Sequence, residues 1–179
     1  LEEPVSVACA RFILLMVVVW LVSFAVPANA QNAAMDGIRS EFEAVKTSVL
    51  KAANKAPEDL YGFRPTEEVF TFRKLLLHVA GASYNICAGF QNEIGRTPKV
   101  DPDSIVPKQQ VLDTLQAAFG YCDAALAKAS DTTLSETFTA PNGRTRPKSY
   151  YVSHLLAHTS LHYGNIVTYL RLKGMSPGD

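Results

Sequence analysis

The sequence predicts an all-α domain, a four-helix bundle whose helices are not joined in simple up-down-up-down order. Apolar side chains recur at spacings of three and four in four separate segments, the pattern of amphipathic helices. Each segment is bounded by Pro, Gly or Asn-Gly punctuation. Two connections are longer than a simple bundle needs, about fourteen and about nineteen residues, which suits a long crossover and a short loop or hairpin before the last helix.

Residues 1–30 stand apart from this domain. Phe12 to Val26 is apolar except for Ser23 and runs into Pro27-Ala28-Asn29-Ala30. That is the pattern of a signal peptide with its A-x-A cleavage site between Ala30 and Gln31. About fifteen apolar residues fall short of the ~20 that cross a bilayer, so cleavage is expected and no membrane span after it. Arg11 is the one positive charge ahead of the core, with Glu2 and Glu3 upstream, and no lipobox-like Cys sits at the cleavage point. The expected product is an exported protein, periplasmic or extracellular, with residues 31–179 as a single domain. A chain of that length can bury one real core.

Of the seventeen basic and seventeen acidic side chains, Arg11, Glu2 and Glu3 precede Gln31, leaving sixteen and fifteen. No basic stripe points to nucleic acid and no acidic tail to a cationic partner. Cys87 and Cys122 both fall within predicted helices. Two cysteines on separate helices are read as buried small hydrophobes, although an oxidising compartment would let them pair.

The first helix is expected over 33–54, with Met35, Ile38, Phe42, Val45, Val49 and Leu50 on one face. Pro57 and Tyr61-Gly62-Phe63-Arg64-Pro65-Thr66 break it. Thr66 followed by Glu67 and Glu68 then signals a start, the acids suiting the helix dipole, so the second helix is expected over 68–93, ending near Gly95. Its stretch from Leu75 to Ala82 is apolar nearly all round, which predicts a central position. The third is expected over 107–129, carrying Val111, Leu112, Leu115, Ala118, Phe119, Cys122 and Leu126. Asn142-Gly143 marks a tight turn before the last helix. That helix is expected over 149–173, with Tyr151, Leu155, Leu161, Ile166, Tyr169 and Leu170, stopping at Gly174.

Chemistry is concentrated in three histidines. His158 and His162 are one turn apart on one helix face, so both can offer a nitrogen to one metal ion, and His78 on a facing helix could supply the third. Three neutral imidazoles would leave coordination positions open for water or an anionic ligand. Zn or Ni suits such a donor set, and imidazole alone does not choose between them. Such ligands need acceptors behind them to fix the tautomer, for which Asn85, Tyr84, Tyr151 and Tyr163 are candidates. His154, another turn back, is read as a helix-surface or pocket-rim residue. On spacing alone the competing reading is plain packing, with the histidines and tyrosines as satisfied core and boundary side chains. No Gly-rich phosphate loop, C-x-x-C, H-E-x-x-H or G-x-S-x-G is present. Cys87 lies about 180° around the helix from His78, which argues against a Cys-His nucleophile.

The same residues carry a resemblance. His158-Thr-Ser-Leu-His162-Tyr-Gly164-Asn-Ile-Val-Thr-Tyr169-Leu-Arg171-Leu-Lys-Gly174 resembles the last helix of DinB-like (DinB/YfiT-type) proteins, and Tyr61-Gly-Phe-Arg-Pro65-Thr leading to Leu-Leu-Leu-His78-Val-Ala resembles the approach to their second helix. The resemblance implies a four-helix bundle with a divalent metal held by His78, His158 and His162. It also implies kinship with thiol-dependent transferases and isomerases, beside many members without assigned activity. The chain departs from the family's His-His-x-Gly-Gln pattern, with Leu161 before His162 and Asn165 after Gly164. Export would separate it from cytosolic low-molecular-weight thiols. Two functions stay open: a metal-dependent hydrolase or transferase of unknown small-molecule substrate, and a non-catalytic metal- or small-ligand-binding bundle, as a possible homodimer through an apolar helix face.

Overall fold

Four helices form where the apolar periodicity puts them: α1 Ala33–Lys55, α2 Phe72–Gln91, α3 Lys108–Ala127 and α4 Lys148–Leu172. The structure is a computed structural model that describes residues 32–177. The expected signal peptide at 1–30 lies outside the described residues.

Helices α1 and α3 close each other's ends. The backbone N–H groups of Ala34 and Met35 donate to the Asp131 carboxylate at 3.2 and 2.8 Å, an anion at the positive end of the α1 dipole. At the other end the Lys108 ammonium donates to the carbonyls of Asn54 and Ala56, at 2.7 Å each. Arg39 does the same for α3, donating to the carbonyls of Leu126 and Ala129. Carbonyls that a helix leaves unpaired at its C-terminus are thereby satisfied from the neighbouring helix. Because the end of one meets the start of the other, α1 and α3 are antiparallel. Phe42 and Phe119 pack edge to face between them, ring centroids 5.8 Å apart.

Helix α2 lies at the centre, packed along both α3 and α4. Leu75, Leu76, Leu77, Val79 and Ala80 are all buried, as an apolar run around the whole helix requires. It begins four residues later than the sequence suggests. Thr71 rather than Thr66 is the cap, its hydroxyl accepting from the Lys74 N–H at 3.2 Å. The Phe72 N–H donates back to the Phe63 carbonyl at 2.9 Å and the Tyr169 hydroxyl donates to the Phe70 carbonyl at 2.5 Å. Those ties from distant residues hold the segment before Thr71 out of the helix, and no local signal records them. The helix ends at Gln91, where Asn92 takes the left-handed conformation (φ 62°) that Asn tolerates better than most residues.

Parallel packing of α2 and α3 sets the topology. Cys87 meets Cys122, and the Tyr121 hydroxyl donates to the Glu93 carboxylate at 2.9 Å, while Leu77, nearer the start of α2, shares a cavity with Gln110 and Thr114 near the start of α3. A helix of α2's length spans about 30 Å, and the chain must travel that distance back before α3 begins. Residues 92–107 form this crossover. Helix α4 runs antiparallel to α2, with His78 opposite His158 and His162, and Gly89 opposite Tyr151. A Cβ on Gly89 would lie 2.2 Å from the Tyr151 ring, so this close approach of α2 to α4 requires glycine.

The cysteines are joined. Cys87 and Cys122 form a disulfide between α2 and α3 with Cα atoms 5.4 Å apart, correcting the expectation of two free buried thiols. Their pairing depends on the register of two parallel helices, which neither segment's own pattern contains.

The turn at Asn142-Gly143 closes a small hairpin, Thr137–Thr139 (β1) paired antiparallel with Thr145–Pro147 (β2), Phe138 facing Arg146. Gly143 supplies the positive φ of 78°. Among the described residues no helix is long and apolar enough to cross a membrane.

Candidate metal centre

Helix α4 buries Tyr151, Val152, Leu155, Thr159, Ile166, Tyr169 and Leu170. Its inward stripe is apolar at both ends and polar in the middle. Leu161, expected in the core, is instead 65% exposed: it lies six residues from Leu155, about 240° around the helix. His158, Thr159 and His162 fill the inward positions there. Opposite them His78 interrupts the apolar run of α2, and this is where the three imidazoles meet.

The Nε2 atoms of His78 and His158 are 3.2 Å apart. Ring centroids are 4.4 Å apart for His158 and His162, and 4.8 Å for His78 and His162. One nitrogen from each of the three rings lies within 4.8 Å of the others. Two nitrogens each ~2.05 Å from one ion at a tetrahedral angle are about 3.3 Å apart, so the His78–His158 spacing fits shared coordination. The third ring has to close in by a fraction of an ångström to over an ångström, within reach of a χ adjustment.

Electrostatics favour the form of imidazole that a metal needs. Burial lowers the pKa of His78, and burial together with the neighbouring His78 lowers that of His162. His158 is pushed down to about 4, first by burial and then by the charges of His162, His78 and His154. All three are neutral near pH 7, with lone pairs available.

The atoms behind the rings differ. The Asn165 side-chain amide nitrogen is 3.3 Å from His162 Nδ1. With its oxygen turned towards the ring, that amide accepts the Nδ1 proton and leaves Nε2 free for an ion. The sequence shows Asn165 only as a shortened form of the family's Gln, yet at three residues from His162 it lies on the adjacent turn and still reaches. His158 Nδ1 is buried and finds no partner among the described residues. The Phe70 ring stands against His78, centroids 5.7 Å apart, a contact that the sequence gives no means of finding.

The other candidates are placed elsewhere. His154 is exposed and stacks on Tyr150 at 5.8 Å, outside the three-nitrogen cluster. Tyr84 turns towards α3 and packs on Tyr121. Tyr151 fills the space over Gly89, Tyr163 packs against the core, and Asn85 is exposed.

Comparison with known proteins agrees with this architecture. The sequence profile of the DinB superfamily matches residues 41–166. A DinB-like protein from Bacillus cereus ATCC 10987 is similar in structure, with a TM-score of 0.69 at 16% identity over 80% of this chain and 95% of that one. YfiT from Bacillus subtilis, described as a probable metal-dependent hydrolase with an unusual four-helix bundle topology, gives 0.63 at 17% identity over 79% and 89%. The H52A mutant of a mycothiol-dependent maleylpyruvate isomerase gives 0.59 at 14% identity over 74% and 60%. At these identities the likeness is one of fold. No curated protein matches the chain in sequence.

Proposed function

The chain belongs to the DinB superfamily, and on that premise we propose that His78, His158 and His162 hold one divalent metal and that the site is a hydrolytic centre for a small-molecule substrate. The observation that carries this is the convergence of three neutral imidazoles from two helices, two of their nitrogens at 3.2 Å. Zn or Ni suits the donor set. A divalent ion held there supplies Lewis-acid polarisation and acidifies a water towards a pKa of ~7. Asn165 orients His162, and the half-buried setting keeps the rings unprotonated.

Hydrolysis is favoured over thiol transfer by the disulfide. Cys87–Cys122 fits an oxidising compartment, in keeping with the reading of residues 1–30 as a signal peptide and an exported, periplasmic or extracellular protein. Low-molecular-weight thiols of the cytosol would not be at hand there. The likeness to YfiT supports the same choice. The test is metal content by mass spectrometry on untagged protein, followed by a screen of ester and amide substrates. About one divalent ion per chain, lost in His78→Ala and His158→Ala, with turnover that follows the metal, is expected. Protein without metal overturns the reading, and metal without turnover leaves a binding bundle.

A further inference from the structure

A cavity of about 520 Å³ lies where the segment before α2 meets the crossover, lined by residues from Gly62 to Lys74 and from Pro102 to Ile105. It adjoins the histidines through Phe70, which lines the cavity and also stands against the His78 ring. Lys74 lines it as well, one helical turn before His78.

Its lining mixes apolar and charged side chains. Val69, Phe70 and Ile105 are large apolar side chains left exposed, Ile105 at 89%, and all three line this one cavity. An exposed apolar side chain alone needs no explanation, but three around one concavity mark a place to bind something apolar.

Three cations and three carboxylates line the cavity, and ion pairs join two of each. Lys74 is paired with Asp103 at 2.5 Å. Arg64 donates to the Glu67 carbonyl at 3.1 Å and lies 4.0 Å from the Glu67 carboxylate. Glu68 is exposed to water. Arg73 has no ion pair among the described residues, and its Nε is buried without a hydrogen-bond partner among them. That nitrogen is closed off, but Arg73 is only partly buried and lines the cavity, so a guanidinium that no carboxylate of the fold pairs can offer its terminal N–H donors to an acceptor from outside.

From the unpaired Arg73 and the exposed apolar side chains, we propose that this cavity binds a small organic carboxylate with an apolar body, its carboxylate on Arg73 and its body against Phe70, Val69 and Ile105. The guanidinium suits a carboxylate because it presents two parallel N–H donors. Phe70 then places the body of the ligand beside His78, so the carboxylate would be the anchoring end of the molecule on which the proposed metal centre acts. The last step rests on that metal reading; binding in the cavity does not.

The probe is phenylacetate, titrated by calorimetry into chelator-treated protein, with phenylacetamide as its uncharged counterpart. Saturable one-to-one binding of phenylacetate, at least tenfold tighter than phenylacetamide, is expected. Arg73→Gln should abolish the difference between acid and amide. Ile105→Ser, at a position exposed enough to leave folding untouched, should weaken both probes together. Equal affinity for acid and amide, no saturable binding, or an unchanged preference in Arg73→Gln overturns the proposal. If Arg73→Gln fails to fold, the acid-to-amide ratio in the wild type and the effect of Ile105→Ser decide it. Since the protein is metal-free in this experiment, failure here is separable from failure of the metal centre.

Discussion

Helix α2 presents two faces to its neighbours, and they are built differently. Towards α3 it offers Cys87 and Tyr84, meeting a disulfide partner and the Tyr121 ring. Towards α4 it offers His78 and Gly89, meeting two imidazoles and the ring that takes the place of a Cβ. The first face is joined covalently, with the buried Ser83 beside the bond. The second interrupts its apolar packing with three ionisable rings, one carrying a buried unpaired nitrogen. The difference teaches that the α2–α3 face secures the bundle and can thereby let the α2–α4 face hold groups that contribute little to folding without a ligand.

The sharpest separation of the two faces is metal loss. His158→Ala should remove bound metal entirely, read by mass spectrometry, while the metal-free variant unfolds in urea at or near the wild-type metal-free midpoint. A variant that keeps its metal would break the assignment of faces.

Next in size is the disulfide. Closing a loop with a sequence separation of 35 is worth about 4 kcal/mol in chain entropy. Cys87→Ala with Cys122→Ala should lower urea stability by roughly that amount and leave metal stoichiometry unchanged. Loss of metal together with stability would mean that the faces are coupled.

Gly89→Ala tests the second face by packing alone. Its Cβ would meet the Tyr151 ring at 2.2 Å, and an overpacked contact of this kind costs about 1–3 kcal/mol. Forcing α4 away from α2 should also weaken metal binding, and Tyr151→Leu in the same chain should restore part of both. Asn165→Ala removes the group beside His162 and should weaken metal affinity about tenfold, the lower end for losing such a support, without changing the urea midpoint of the metal-free protein.

His158 also sets a pH dependence of the metal-free protein. The folded pKa of His158 is lowered to about 4 from an ordinary value of 6.5, so the unfolded chain takes up the proton first on acidification. Its contribution is whole above pH ~6.5 and is lost as pH falls towards 4. The urea midpoint of the metal-free wild type should therefore fall relative to that of His158→Ala as pH is lowered through that window. A constant difference would show that the ring is not held neutral by the fold.

Much of this was legible in the sequence where it depends on one helix at a time. The apolar stripes of α1 and α3, the all-round apolar run of α2 and the one-turn spacing of His158 and His162 are local patterns, and the structure follows them. What the sequence withheld depends on how helices meet. Thr71 caps α2 in place of Thr66 because Phe63 and Tyr169 tie down the intervening segment. Leu161 points outward because the histidines take the inward positions of that stretch. The Cys87–Cys122 pair and the Phe70–His78 contact arise from register and loop path, which single-helix periodicity does not encode. Asn165 was visible only as a departure from the family's pattern, although its spacing from His162 already put it within reach.

The most direct test of the central claim is a crystal of metal-loaded protein measured at and away from the absorption edge of the bound metal. The account predicts one anomalous peak about 2.0–2.1 Å from a ring nitrogen of each of His78, His158 and His162. A peak on other residues, or no peak and a direct hydrogen bond between the His78 and His158 rings, would contradict it.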